Sequence, residues 1–81
     1  MYAVVSSWLN YDNVDVWLYS THEEAISGMN RLWEQSFNLA LGDDDFNEEE
    51  SYHEEEVAEV VWLDETRRFN VVKVNEKEEI L

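Results

Sequence analysis

Eighty-one residues carrying 20 Asp and Glu against 5 Lys and Arg, a formal net charge of −15 and 44% hydrophobic residues fit one domain with a single core; they exclude two domains and a globally disordered chain. There is no Cys, so neither a disulfide nor a thiolate metal site is available; no apolar run approaches the roughly 18 residues of a membrane span, and Met1–Ser7 lacks the basic start of a signal peptide, so a cytoplasmic protein without membrane contact is expected. The charge repels nucleic acid and anionic lipid and attracts basic protein surfaces, which argues against direct nucleic-acid binding.

Residues 2–9 are rich in β-branched and aromatic types and lead to the turn formers Asn10-Tyr11-Asp12-Asn13, after which Val14–Tyr19 alternates cleanly. This pattern predicts a β-hairpin. Two overlapping capping boxes follow, Ser20 with Glu23 and Thr21 with Glu24, and the two carboxylates favour the positive end of a helix. Ala25, Ile26, Met29, Trp33, Phe37 and Ala40 then recur at three- and four-residue spacing, with Gly42 as the expected stop. Residues 43–56 contain nine acids and no base and show no period, which predicts an irregular acidic arm. Val57–Leu63 and Phe69–Val74 read as a second hairpin across Asp64–Arg67. The expected fold is therefore α+β in the order ββαββ: a four-stranded antiparallel sheet with one helix on one face, in a domain spanning 1–75 with a frayed tail at 76–81.

Strand alternation assigns faces. With Val14, Val16 and Leu18 toward the helix, Tyr2, Trp8, Trp17 and Tyr19 lie on the opposite face, an aromatic set of the kind found at interfaces. A one-residue slip exchanges the two faces and returns Trp8 and Trp17 to the core. Trp33 and Trp62 read as core residues.

The arm supports two readings besides that of a solubilising loop. Fully extended, its length of about 48 Å would space the carboxylates roughly 5 Å apart, near the one phosphate per 3.4 Å of a DNA strand. A groove of Lys and Arg built to hold phosphates would accept Asp43, Asp44, Asp45, Glu48, Glu49, Glu50, Glu54, Glu55 and Glu56, with Phe46 and Tyr52 in the places of stacked bases. The arm also holds a partial calcium-loop pattern: Asp43, Asp45, Asn47, Ser51 and Glu54 stand at positions 1, 3, 5, 9 and 12. Glu48 occupies the position that wants Gly, Glu50 occupies an apolar anchor position, and a strand follows where a helix belongs.

Catalytic chemistry has little support. No second His stands at ligand spacing from His22 or His53, and there is no Gly-x-Ser-x-Gly elbow or Gly-rich phosphate loop, so neither an enzyme nor a cofactor is expected. Arg67 and Arg68 beside Glu65 read as turn charges.

In its size, in Ser20-Thr21-His22-Glu23-Glu24-Ala25 opening a helix between two hairpins, and in the acidic run Asp43–Glu56, the chain resembles the small acidic proteins of phages and mobile elements, among them anti-CRISPR proteins and other DNA mimics. The resemblance covers the whole chain and carries no residue-specific motif. It implies an inhibitor that occupies the nucleic-acid-binding surface of a defence nuclease, such as a CRISPR effector, inside a bacterial host. The rival expectation is a non-enzymatic adaptor that forms a homodimer through Tyr2, Trp8, Trp17 and Tyr19.

Overall fold

The apolar alternation of the first nineteen residues closes into a hairpin of β1 (Tyr2–Trp8) and β2 (Val14–Tyr19). In the computed structural model, which describes residues 1–74, the chain continues through α1 (His22–Ala40), β3 (Tyr52–His53), β4 (Val57–Val61) and β5 (Thr66–Lys73). All strand pairs are antiparallel, in the order β2-β1-β5-β4-β3. The first and last strands meet at the centre, where Tyr2 opposes Lys73 and Trp8 opposes Arg67. The α+β class with one helix and an antiparallel sheet is as expected. The strand count and order are not: the sheet has five strands and the order is ββαβββ, because Tyr52 and His53 pair with Glu59 and Ala58 from within the acidic arm. Such a two-residue strand is made by its distant partner and has no alternation of its own. The expected tail at 76–81 lies outside the described residues.

Thr21 caps α1. Its side chain accepts from the Glu24 backbone N–H at 3.1 Å, and its hydroxyl donates to Glu24 Oε1 at 3.1 Å. At the other end Leu41 holds the cap position in a right-handed conformation and Gly42 has no positive φ, so the expected glycine stop is not used. The chain leaves the helix tightly, with the Asp43 N–H donating to the Ala40 carbonyl at 2.8 Å.

One apolar layer lies between helix and sheet. Val4, Ala25, Met29, Ala58, Phe69 and Val71 form its centre, and Tyr2, Trp17, Tyr19, Ile26, Leu32 and Trp33 pack around it. Full burial of a side chain such as Phe69 or Met29 contributes about 1.5–3 kcal/mol. The face assignment of the first hairpin is thereby corrected. Val4 pairs with Trp17 and with Val71, so Tyr2, Trp17 and Tyr19 face the helix, and Trp8 shares their side of the sheet, stacked on Trp62 with ring centroids 5.5 Å apart. Val14, Val16 and Leu18 point away from the helix and are 57%, 55% and 61% exposed. Both faces of this hairpin are apolar, so alternation fixes the period and leaves the phase open. The helix covers the aromatic side, which has more surface to remove from water. Gly28 makes room for it: a Cβ there would overlap the Tyr19 hydroxyl.

Arg67 also enters this layer and does not sit in the turn. Its Nε donates to Ser6 Oγ at 2.8 Å and an Nη to Ser36 Oγ at 2.9 Å, while the guanidinium lies 5.3 Å from the Trp8 ring centroid and 4.8 Å from that of Phe69. Burial lowers its pKa, partly opposed by the charge of Asp15. No helix among the described residues is long and apolar enough to cross a membrane.

Candidate functional site

The acidic arm is built along the sheet margin and is not an extended strap. From Ala40 the chain turns at once, pairs briefly with the end of β4, turns again over Glu48–Glu50 and re-enters the sheet as β3. The pairing consists of two backbone bonds, from the Asn47 N–H to the Val61 carbonyl at 2.8 Å and from the Leu63 N–H to the Asp45 carbonyl at 2.9 Å. Ser51 stitches the second turn: its hydroxyl donates to the Asn47 carbonyl and accepts from the Val61 N–H, both at 2.9 Å. These bonds satisfy backbone groups that a loop would otherwise leave to water and hold the segment to β4 along much of its length.

Aromatic packing adds a second hold. Phe46 meets Phe37 edge-on at 5.3 Å and Trp62 at 6.2 Å, and His53 meets Trp33 edge-on at 5.3 Å. Phe46 is therefore an anchor and is not presented as a stand-in for a nucleobase. Tyr52 lies half-buried on the outer side of β3 opposite Glu59; burial and then the Glu59 charge raise its pKa above 10.0.

Anchoring the backbone leaves the carboxylates outside. Asp43 accepts from the Trp62 indole N–H at 2.9 Å, and Glu56 accepts from His22 Nε2 at 2.9 Å; a carboxylate only accepts here, so that ring nitrogen carries the hydrogen. The side chains of Asp44, Asp45, Glu48, Glu49, Glu50, Glu54 and Glu55 are exposed and have no hydrogen-bond or ion-pair partner among the described residues. The folded arm places its charges on two turns before β3 and on the bend Glu54–Glu56 after it, so the even spacing of an extended chain does not describe it.

Asp44, Asp45, Phe46, Asn47, Glu48, Glu49 and Leu63 enclose an open groove of about 530 Å³. Its lining combines two apolar side chains, Phe46 and Leu63, with four carboxylates and Asn47. The mixture suits a Lys or Arg side chain, whose methylenes can lie on the apolar pair while the cationic head meets the carboxylates. Sequence reading missed Leu63, 78% exposed. Its signal was its parity with Val61 at the end of a strand, which puts it on the side away from the core.

The calcium-loop pattern does not assemble. Asp43 is engaged by Trp62, Asn47 Oδ1 accepts from the Glu50 N–H at 3.2 Å, and no cluster of three His, Asp or Glu among the described residues is arranged to hold a metal ion. The proposed ligands are spread along the arm: Asp43 and Asp45 precede the Phe46 bridge, Asn47 follows it, and Glu54 lies beyond β3. Tyr2, Trp8, Trp17 and Tyr19, expected as an exposed interface, are half-buried on the helix side. No known protein family, curated protein or solved structure matches the chain.

Proposed function

We propose that the arm Asp43–Glu56 docks on a basic nucleic-acid-binding surface of another protein and blocks it, the DNA-mimic inhibitor mode that the resemblance to small phage proteins implies. The observation that carries this reading is the set of seven unpaired carboxylates on a backbone tied down by β4, Ser51 and Phe46. A solubilising loop needs charge alone. A binding surface gains from fixed charge, because a segment already ordered loses less conformational entropy when it docks. The groove lined by Phe46, Leu63 and four carboxylates supplies a slot for one basic side chain, and the carboxylates steer the approach. Such steering speeds association by on the order of 10- to 1,000-fold at low salt and fades as salt rises.

The test uses capture from a bacterial lysate followed by displacement with added DNA or RNA, with the wild type and a variant carrying Asp44→Asn, Asp45→Asn, Glu48→Gln, Glu49→Gln and Glu50→Gln. Asp43 is left intact because it bonds Trp62. The wild type should retain a nucleic-acid-binding protein that high salt or nucleic acid releases, and the variant should fold and retain none. Equal capture by both chains, or a captured protein that nucleic acid cannot displace, would defeat the reading.

A further inference from the structure

We infer that the sheet face turned away from α1 packs against the same face of a second copy, forming a weak, reversible dimer. Across the apolar half of this face Leu18, Ala3 and Val72 form one row and Val16 and Val5 a second, with Val14 beside them on β2. Val14, Val16, Leu18 and Val72 are between 41% and 61% exposed.

Charge selects the occupant. Among the described strand residues this face carries one cation, Arg68, and one anion, Glu59, 3.7 Å apart, in a chain of net charge −15. Asp15, Arg67 and Lys73 fall on the helix side by register, and the arm carboxylates lie on turns at the β3 margin. A basic partner therefore finds nothing to pair with here. A second copy brings an identical, locally neutral face, and a two-fold arrangement sets the Arg68 and Glu59 of one copy near those of the other without a net like charge between them. The ion pair lies on β5 and β4, which leaves the β2–β1 half free of charge on this face, and depletion of charge is the compositional mark of an interface core.

Area sets the strength. Five strands about 4.8 Å apart and about six residues deep at roughly 3.3 Å each give a flat face of about 480 Å² per copy. Two such faces bury about 1,000 Å² before side-chain relief is counted, at the weak end for specific interfaces of about 1,200–2,000 Å². Crossing the two sheets at about 30° would make a sandwich of two sheets with a helix on each outside.

The inference is independent of the arm. Sedimentation equilibrium of the full chain from micromolar to millimolar concentration should show monomer and dimer, with Kd falling by about 3- to 10-fold at high salt as repulsion between the two acidic chains is screened. Salt thus strengthens this contact while it weakens arm binding. Val16→Glu should raise Kd on the order of 100-fold through like charges set face to face. Leu18→Lys should do the same although it lowers the net negative charge. Circular dichroism melts of dilute protein check that both variants fold, and the arm variant with five carboxylates neutralised should dimerise at least as well as the wild type. A wild type that stays monomeric at the highest concentration and salt would give this face to the C-terminal segment or to another protein and would overturn the proposal. Unaltered dimerisation in both Val16→Glu and Leu18→Lys would overturn it equally.

Discussion

The two margins of the sheet are finished in opposite ways. At one, β3 is only two residues long, Tyr52 and His53, and the chain on either side of it is turned, acidic and hydrogen-bonded to β4, mostly through backbone groups. At the other, β2 runs six residues with apolar Val14, Val16 and Leu18 toward solvent and no further strand among the described residues beyond it. Short length and charge are the usual devices that stop an edge from pairing with another chain, and the β3 margin has both. At β2 the helix side is secured instead, by Trp17 and Tyr19 under α1, while the other face stays open. Order at the acidic margin comes from many small bonds to the backbone; order at β2 comes from two large side chains in the core.

Substitution should separate these two kinds of order. The largest effect is expected from Trp17→Ala, which removes a half-buried indole from the layer beneath α1: a loss of about 2–4 kcal/mol in chemical denaturation, within the range of large-to-small core changes. An exposed interface residue would leave the stability of the monomer nearly unchanged, so a loss under about 0.5 kcal/mol at dilute concentration would return Trp17 to the surface. Phe46→Ala comes next, at about 2 kcal/mol, since its ring is only partly buried. Its signature is local: in hydrogen exchange the Asn47 and Leu63 amides should lose protection while those of β1 and β5 keep theirs. Uniform loss across the sheet would mean that the arm and the core form one cooperative unit.

The smallest effect concerns pH. The folded state raises the pKa of Tyr52 above 10.0, so it holds the phenol proton to higher pH than the unfolded chain does. The resulting stability is present in full below pH 10.0 and is lost as pH rises through the raised folded value. Tyr52→Phe should therefore flatten the decline of stability above pH 10.0. An identical decline in both chains would show that Tyr52 takes no part in it.

Much of the architecture could be read from the residues. The capping box at Thr21, the spacing of Ala25, Met29 and Trp33, and the two hairpins each express a local rule that tertiary packing had no reason to override. What could not be read was set by distance or by phase. β3 exists because β4 offers it partners, and nothing in Glu50-Ser51-Tyr52-His53-Glu54 alternates. The hairpin faces were ambiguous because apolar residues occupy both, and the decision rested on which face α1 covers. Gly28, a residue that ordinarily weakens a helix interior, was the one local hint: a close approach at that point favours an aromatic partner such as Tyr19. Arg67 shows the same limit from the polar side, since a base next to a turn gives no sign that two distant hydroxyls, Ser6 and Ser36, wait for it. Of the candidate site, the acidic residues were plain, but the part played by Phe46 was not: an aromatic in an acidic run looks like a probe for ligands until its neighbours Phe37 and Trp62 are known.

The bare margin at β2 has a colloidal consequence. Asp15 is the one charge on this strand, so the barrier against chain-to-chain pairing there is mainly the long-range repulsion of a strongly anionic body. That barrier vanishes near the isoelectric point of about 4.1, well inside the pH range where a folded sheet can persist. Turbidity and thioflavin fluorescence should therefore rise sharply as a concentrated solution is acidified toward that pH, and Val16→Lys, which puts a charge on the open strand itself, should keep the solution clear. In this protein solubility and edge protection are one property, carried by a net charge of −15 to which the arm at the opposite margin contributes nine carboxylates.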